Sequence, residues 1–583
     1  VEVIVPEDGV VIQDLMLSPV AIKGEVVVIT GQAASQGAAI NQQIASNTIT
    51  NVVSSSKIRE LPDESAAAAL SRLPGVSLME GDKVAIRGVQ AKQNLVLVNG
   101  VQLPSTDLED RSTNLGFFSS NMLSGIEVIK VLTPDMDANA IGGVVNLRLR
   151  EAPTGFQSDV FAQGSYNTQD RTYPGQNFKV WGSVSNRFFN DKLGVFIQGN
   201  ADRSNVGNDE TTAGYDIDNS AAPYGEGEYQ MLNFVFLDEE NIITNYGGSV
   251  FLDYKLPNGK IILQNALAHT LNDNAKYRLE YDLSVTEVGY ALNRDKHNKE
   301  LLINALQVSY NFGKVKADLG LSHSFSDKAT DIRYGDPGNE FGFQNVASDT
   351  TFIDNNGAPI TYEGARRELT PEDVFNIKLK SDNWENAPIY GWCVTRNEAF
   401  KQHLYNGTLD FTVPVSLLRA ISGDIKLGGK FTRSVRTNDV EAAYHRTGDD
   451  DFYNGVLDFL GPDDSLHVKK RPLYFSDVRN YDYDRGKYFF EGDYEFLYAM
   501  DKDMMDEFIP NAVSGWIKSR HEGNSLRDDF DGSELFTAAY IMGDFNIGPR
   551  LSLIGGGRFE HFNMDYTANF VYVTHSVDGD ANE

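Results

Sequence analysis

The sequence predicts a mainly β protein, a large antiparallel transmembrane β-barrel preceded by a small domain of mixed α and β structure. Long strands in which polar and apolar residues alternate fill the chain after residue 156. Tight turns and long polar segments connect these strands alternately, as in barrels that cross a membrane. Residues 50–155 instead carry short strands and one helix, separated by turn residues. The chain therefore divides into a compact N-terminal region and a barrel.

Near the N-terminus lies a short β-branched run, residues 25–30, followed by a polar stretch that continues to about residue 48. Such a run is typical of a strand. It is interpreted either as an extended segment that pairs with another protein or as an ordinary strand of a neighbouring domain. Another strand, at 11–17, precedes it. Residues 1–24 are therefore predicted to be the remnant of an N-terminal β-sandwich-like domain, and residues 25–49 a pairing segment with its linker.

An alanine-rich helix opens the domain at 50–155. Ala66–Ala69 are strong helix formers, Asp63 is the predicted N-cap, and Pro74-Gly75 ends the helix. Downstream, Arg87 stands beside Gly88 before a polar loop. Its charge is interpreted either as one half of an ion pair with the barrel or as a solvated surface charge.

Two glycine-containing turns organise the strands that follow. Asn99-Gly100 lies between two apolar runs and predicts a tight hairpin, because both residues tolerate the positive φ that primed turns require. Gly142-Gly143, in the closing stretch 140–150, predicts a second sharp reversal before the last strand.

The barrel, residues 156–583, is predicted from strands of period two. The clearest strands lie at 178–185, 192–202, 249–256, 306–312, 315–321, 424–432, 540–547 and 551–560. Tight turns are predicted at Pro257-Asn258-Gly259, Asn311-Phe312-Gly313 and Gly548-Pro549, and long polar loops at about 205–244, 327–372 and 436–532. The pattern predicts about 12 to 14 strands of roughly 10 residues each. Soluble sandwiches, propellers and lipocalin-like barrels also contain alternating strands and remain the alternative.

Composition excludes several classes of protein. Lys+Arg 51 against Asp+Glu 82 gives a net charge of −31, which argues against nucleic-acid binding. A helical membrane span is excluded because no run of about 18 apolar residues occurs. The single cysteine, Cys393, excludes an intrachain disulfide. No Ser-His-Asp context, zinc-ligand spacing or phosphate loop is found, so no catalytic residue and no enzyme activity are predicted.

Acidic clusters occur in the presumed loops, at 449–451, 463–464 and 528–531. Solvated loop charge is the first interpretation. Bound Ca²⁺ is the second, because this cation takes several oxygen ligands. No other cofactor is predicted.

The motifs of residues 50–155 occur in the order found in the plug domain of TonB-dependent outer-membrane receptors, which the chain resembles. The resemblance is carried by Leu61-Pro62-Asp63-Glu64, Leu73-Pro74-Gly75-Val76, Ile86-Arg87-Gly88, the Asn99-Gly100 hairpin, Ile126–Lys130, Thr133–Ala138 and Ile141–Asn146. It implies a plug inside the lumen of a barrel of about 22 strands, whose C-terminal strands are expected to be missing from this sequence. Residues 1–24 are similar to the last strands of the carboxypeptidase-regulatory-like domain found in receptors of the Bacteroidota.

The resemblance also implies a function in the outer membrane of a Gram-negative bacterium, namely active import of a nutrient such as an oligosaccharide or siderophore. TonB, with ExbB and ExbD, would then be the energy-supplying partner. The TonB-interaction residues are those of the 25–30 segment, Glu25, Val26, Val27, Val28, Ile29 and Thr30. The residues expected to be structural motifs of the plug are Arg87, Gly88, Asn99, Gly100, Gly142 and Gly143. The ligand candidates lie in outward loops of the plug and are Gln90, Lys92 and Asn94, and residues 105–110 with Ser105 and Asp107.

A structural, assembly or signalling role in an outer-membrane complex is the alternative function. A surface lipoprotein or a second outer-membrane protein would then be the partner, in addition to the surrounding outer-membrane lipid.

Overall fold

The structure is a computed structural model. It describes residues 43, 48–54, 57–58, 65–79, 83–106, 111–117, 122–168, 176–218, 228–282, 287–334, 341–344, 352–353, 359–360, 378–379, 392–418, 421–446, 475–483, 489–491, 496, 498–507, 525–547 and 551–570. Residues 1–24 and the segment 25–30 lie outside the described residues.

The N-terminal domain is built on a five-stranded sheet with strand order β1-β6-β7-β4-β5. β4 and β7 are parallel, and the other pairs are antiparallel. A separate hairpin joins β2 to β3. The strands are β1 (Thr50–Ser54), β2 (Val76–Met79), β3 (Lys83–Ile86), β4 (Asn94–Val98), β5 (Val101–Gln102), β6 (Leu123–Ile129) and β7 (Gly143–Leu149).

The predicted helix is present, but it is shorter than expected and begins at a different cap. Helix α1 spans Ala66–Ser71, and the Ser65 side chain accepts a hydrogen bond from the Ala68 backbone N–H. The prediction of Asp63 as N-cap was therefore wrong. Ser65 has an extended conformation directly before the first helical residue. Its side-chain oxygen accepts from a backbone N–H group of the first turn, which has no partner within the helix.

The Asn99-Gly100 hairpin is confirmed. Val98 pairs with Val101 across the turn, and Asn99 and Gly100 have φ values of 48° and 82°. Gly143 also has a positive φ, 147°, at the start of β7.

Most of the described residues after 156 form one thirteen-stranded antiparallel sheet, called here the wall. Its order is β23-β22-β21-β20-β15-β14-β13-β12-β10-β9-β8, and β11 and β16 pair with β12 and β14. Three short strands, β17 (Phe352–Ile353), β18 (Pro359–Ile360) and β19 (Lys378–Leu379), form a small separate sheet. The wall strands are β8 (Gln157–Gly164), β9 (Phe178–Phe188), β10 (Leu193–Asn205), β11 (Asp209–Asp218), β12 (Glu228–Leu256), β13 (Gly259–Asp282), β14 (Glu287–Phe312), β15 (Val315–Tyr334), β16 (Phe341–Gln344), β20 (Trp392–Leu418), β21 (Ile421–Arg446), β22 (Phe530–Ile547) and β23 (Leu551–Ala568).

The predicted number of strands agrees with the thirteen strands of the wall within the described residues, and each predicted strand overlaps a wall strand. The wall is open rather than a closed cylinder, because its edge strands β8 and β23 do not pair with each other within the described residues. Among those residues, no helix has the length and apolarity to cross a membrane.

Several strands continue far into segments predicted as loops. β12 has 29 residues and begins at Glu228, inside the predicted loop 205–244, which also contains β11. β21 continues to Arg446. These extensions carry polar residues on both faces, as in Asp238–Asn241, so the alternation by which the sequence identifies strands is absent there.

The wall has one face toward the N-terminal domain and one face turned outward. On β20, Phe400, Gln402 and Leu404 are buried, whereas Lys401 and Tyr405 between and beyond them are exposed. The alternation predicted from sequence therefore separates an inner face from an outer face.

The inner face of β13 and β14 completes the core of the N-terminal domain. A single hydrophobic cluster joins residues of the domain, such as Ile126, Val128 and Leu147, to wall residues. The wall members are Ala266, Ala268, Leu301, Ile303 and Ala305. Small alanine side chains at the contact let the sheet of the domain approach the wall closely.

Candidate functional site between the N-terminal domain and the wall

The Asn99-Gly100 hairpin makes a first polar contact between the N-terminal domain and the wall. The Asn99 side-chain amide donates to Gln264 Oε1 at 2.8 Å, and the Gln307 amide donates to the Asn99 carbonyl oxygen at 2.9 Å. Asn99 Oδ1 also accepts from the Leu149 backbone N–H at 3.0 Å. The turn is thus fixed to β13, β14 and its own sheet at once.

The segment 102–105 makes the second contact, with side chains on the inner face of β15 and β20. Ser324 Oγ donates to the Gln102 carbonyl at 2.9 Å, and Ser326 Oγ donates to the Ser105 carbonyl at 2.6 Å. The Ser105 N–H donates to Gln402 Oε1 at 2.6 Å. Wall side chains thus form hydrogen bonds with the buried backbone groups of an irregular stretch of the domain.

The third contact is ionic and involves residues 133–139, called here the contact loop, which lie between β6 and β7. The Asp137 side chain is 6% exposed and accepts from Lys430 Nζ at 2.5 Å and from Arg558 Nη2 at 2.7 Å. Lys430, on β21, also donates to Gln102 Oε1 at 3.0 Å. One carboxylate therefore connects the domain to β21 and β23.

Further bonds hold the same loop. Glu560 accepts from the Ala138 backbone N–H at 3.0 Å and pairs with Arg558 at 2.6 Å. Lys426 Nζ lies 3.9 Å from Asp135. The charges on the wall are thus arranged around the tip of the contact loop.

Two cavities lie along this interface. The turn-side cavity, about 200 Å³, is bounded on the wall by Gln307, Ser322, Asn406, Thr408 and Lys430. The loop-side cavity, about 290 Å³, lies nearer the long loops and is bounded by Gln402, Thr432, Ser434, Glu534 and Phe562, with Ser105 and Arg111 from the domain. Gln102 and Asp137 line both cavities.

Of the residues predicted as ligand candidates, Ser105 lines the loop-side cavity, and its backbone and hydroxyl groups bond to Gln402, Ser326 and Ser112. Gln90 and Lys92 are exposed near the start of β4. Asn94 donates to the Val84 carbonyl within the domain.

None of Gln90, Lys92 and Asn94 lines either cavity. Asp107 lies outside the described residues.

Arg87 is exposed beside Gly88, and both have positive φ. Within the described part of the chain no ion pair joins Arg87 to the wall, so the interpretation as a surface charge fits better. Burial and the neighbouring Arg87 guanidinium lower the pKa of the Lys130 ammonium group, which donates to the Pro74 carbonyl at 2.7 Å.

Gly142 and Gly143 permit close packing. A Cβ on Gly142 would lie 2.0 Å from Asn94 Oδ1, and one on Gly143 would lie 2.6 Å from the Ile129 carbonyl oxygen.

The acidic clusters 449–451 and 463–464 lie outside the described residues. In the third cluster, Asp528 pairs with Arg396 at 2.8 Å, and Asp529 accepts from the Val440 N–H at 2.7 Å. No group of three or more possible metal ligands is found among the described residues. The carboxylates of Asp528 and Asp529 thus accept hydrogen bonds from protein groups. Bound Ca²⁺ was the second interpretation of this cluster.

The sequence did not indicate Asp137 as a residue that contacts the wall, although Asp137 belongs to the motif Thr133–Ala138. An acidic residue in a turn between two buried strands was the available signal. Its partners are 293 and 421 residues away in the chain, so local pattern could not identify them.

Comparison with known proteins bears on the N-terminal domain. Residues 42–144 match the family model described as TonB-dependent Receptor Plug Domain. The chain is 30% identical over 148 residues to the vitamin B12 transporter BtuB of Photobacterium profundum. That match covers 23% of this chain and 24% of the relative, so it spans about a quarter of the relative's length.

Solved structures of similar proteins include the siderophore receptor PiuA from Acinetobacter baumannii, with 12% identity, a TM-score of 0.33, and coverage of 90% of this chain and 76% of that one. The ferric citrate transporter FecA in its unliganded form has 12% identity, a TM-score of 0.31, and coverage of 91% and 76%. The N-terminal domain therefore matches the plug domain of TonB-dependent receptors, and it lies against an antiparallel wall.

Proposed function

We propose that this protein imports a nutrient ligand actively across the outer membrane, with energy supplied by TonB together with ExbB and ExbD. The observation that supports import most directly is the interface between the N-terminal domain and the wall. The domain obstructs the inner face of the wall, yet side-chain hydrogen bonds and ion pairs attach much of it. Such polar contacts, unlike the hydrophobic cluster shared with β13 and β14, can be broken and remade without exposing apolar surface.

Ligand would bind among the outward loops and at the loop-side cavity. Its binding would favour a state in which the segment 25–30 is accessible to TonB. This segment is suited to edge-to-edge pairing, because strand addition requires an extended backbone and places few demands on side chains. A pull on it would then displace the plug.

The ligand class is a nutrient such as an oligosaccharide or a siderophore. The partial relative carries the name of a vitamin B12 transporter, so vitamin B12 belongs in the same screen. Growth of a deletion strain on single carbon sources, iron sources and vitamin B12 identifies the nutrient whose use depends on this protein.

Deletion of residues 25–30 tests the proposed energy coupling. We expect uptake of the nutrient found in the growth screen to be abolished while binding to whole cells remains, because the deletion removes the pairing segment and leaves the wall intact. Radiolabelled uptake and surface binding are measured in the same cells.

Deletion of residues 33–38, in the polar stretch that follows, shortens the chain equally and serves as the control. Uptake should continue in that variant. Undiminished uptake without residues 25–30 would show that this segment is not the site of energy coupling.

A further inference from the structure

We propose that a second copy of this chain docks on the outer face of β14, β15, β20 and β21, about a two-fold axis that lies between β15 and β20. This surface, called here the outer patch, is turned away from the N-terminal domain, so in a membrane barrel it would face lipid. The inference goes beyond import and does not depend on it. It starts from polar and charged side chains at positions where contact with lipid favours apolar ones.

Alternation along the strands identifies the side chains of the outer patch. Ser324 and Ser326 of β15 donate to carbonyl groups of the N-terminal domain. His323 and Asp327 occupy the alternate positions of the same strand and therefore point outward. The same alternation on the paired strands directs six more side chains outward, namely Glu300, Asn304, Lys401, His403, Tyr405 and Arg433.

Two hydrogen-bonded pairs lie within the apolar belt of this face. The Asn265 amide, on the neighbouring β13, donates to Asn304 Oδ1 at 2.5 Å, and ring nitrogens of His323 and His403 are 3.1 Å apart. Asn304 and His323 each lie about eight residues from the turn between β14 and β15, which places them roughly 20 Å above it, in a belt about 25 Å tall. Polar groups at this depth are costly against hydrocarbon and usually face another protein surface.

The centre of the outer patch is aromatic and concave. His323 stacks on Tyr405 with ring centroids 4.7 Å apart, and His403 stacks on Phe325 at 4.5 Å. A groove of about 490 Å³ lies beside these rings and is also lined by Leu306, Leu321, Gly407 and Phe431. Aromatic side chains beside a hollow are typical of the central contacts of protein interfaces.

The charges of the outer patch divide by sign between its two halves. Glu300 of β14 and Asp327 of β15 are acidic, whereas Lys401 of β20 and Arg433 of β21 are basic. Among the described residues, none of these four side chains has an ion pair or a hydrogen bond. Asp327 and Lys401 even lie directly opposite one another in the sheet without forming a pair.

A two-fold axis along the membrane normal makes this surface complementary to itself. It places the β14–β15 half of one copy against the β20–β21 half of the other, so acidic side chains meet basic ones. Lys401 of one copy then lies nearest Asp327 of the second. Amide and imidazole groups suit the same arrangement, because each can both donate and accept hydrogen bonds. Two-fold contacts of this isologous kind are the commonest among homo-oligomers.

Charge reversal in two differently tagged full chains, expressed in one outer membrane, tests the contact. Lys401→Glu places like charges across the axis when it meets its own copy, and so does Asp327→Lys. We expect co-purification of the two tags to fall by roughly tenfold or more for either variant alone, because juxtaposed like charges oppose association. When one tag carries Lys401→Glu and the other Asp327→Lys, co-purification should return to the wild-type level.

Cysteine cross-linking locates the contact independently. In a Cys393→Ser background, Leu321→Cys places a thiol at the groove beside the axis, and Ile541→Cys places one on β22, outside the outer patch. The native side chains are similarly exposed, at 49% and 59%, so Ile541→Cys is the matched control. Oxidation in native membranes should yield a covalent dimer of Leu321→Cys and leave Ile541→Cys monomeric.

Co-purification that stays low in the mixed pair, or that neither single variant reduces, would overturn the proposed dimer. A wild-type chain that is monomeric in native membranes, with lipid alone against the outer patch, would also reject it. Equal cross-linking at positions 321 and 541, or a different protein in the cross-linked band, has the same meaning.

Discussion

Asn99 shows how one residue can serve both a turn and an interface. Its positive φ shapes the hairpin, and its side chain bonds to a wall glutamine and to the backbone of β7. Asparagine is suited to this position because it tolerates the left-handed region and carries both a donor and an acceptor.

Asn99→Ala should destabilise the N-terminal domain by about 2–4 kcal/mol. The substitution strains the turn and leaves Gln264 and the Leu149 N–H without their partner. Gly100→Ala should cost about 1 kcal/mol, because φ is 82° there but no atom lies within 4 Å of the added Cβ. Urea-dependent limited proteolysis of the full chain measures both, and equal effects would contradict the role of the Asn99 side chain.

Local sequence predicted the hairpin but not the partners of Asn99 or Asp137. A turn depends on the φ preferences of adjacent residues, which the sequence displays directly. Asp137 depends on Lys430 and Arg558, which only the folded wall brings near. Arg87, for which the sequence allowed an ion pair with the barrel, is exposed.

At the scale of elements, β7 holds the centre of the five-stranded sheet, between β6 and β4. It begins at Gly143, whose backbone lies so near the Ile129 carbonyl oxygen of β6 that a Cβ there would be 2.6 Å from that oxygen. This single backbone position therefore governs two strand pairings.

Gly143→Ala should destabilise the N-terminal domain by roughly 3 kcal/mol or more, because the added Cβ would lie 2.6 Å from a backbone oxygen and φ is 147°. Gly88→Ala is the control, with φ of 75° and open space around the new Cβ, and should cost about 1 kcal/mol. Protease resistance of the domain across a urea series distinguishes them. A Gly143→Ala variant as stable as Gly88→Ala would show that the strand start can shift.

The sequence predicted wall strands well where polar and apolar residues alternate, and poorly where apolar residues (Phe234–Leu237) or polar residues (Asp238–Asn241) follow one another. β22 ends and β23 begins where predicted, although both are longer than predicted at the other end, whereas the first half of β12 was assigned to a loop. Backbone pairing with β13 holds that half in extended form, and no side-chain alternation reports such pairing.

At the scale of the whole molecule, a segment between β21 and β22 packs against β12, β13 and β14. Phe489 stacks edge-on against Phe236 at 5.5 Å, and Lys502 pairs with Glu240 at 2.6 Å. Arg294, 2% exposed, joins Asp273 of the wall to Asp506 of this segment. Residues 502–507 of this segment are helical.

Arg294→Ala should release this segment from the wall, since removing one member of a buried ion pair typically costs about 3–5 kcal/mol. Faster trypsin cleavage between residues 475 and 507, with the N-terminal domain still resistant, is the expected result. Lys276→Ala removes the partner of Glu239 at 3.6 Å on the same wall, and its lysine is 46% exposed. That control should change the cleavage pattern little, and unaltered cleavage in Arg294→Ala would mean that the aromatic contacts hold the segment alone.

The alanines and aliphatic residues that β13 and β14 contribute to the plug core have a consequence for biogenesis. Because Ala266, Ala268 and Leu301 complete that core, an excised plug would present a bare apolar patch to water. Folding of the two parts is therefore coupled, and a nascent chain held in the periplasm before insertion would need a chaperone to cover the same surface.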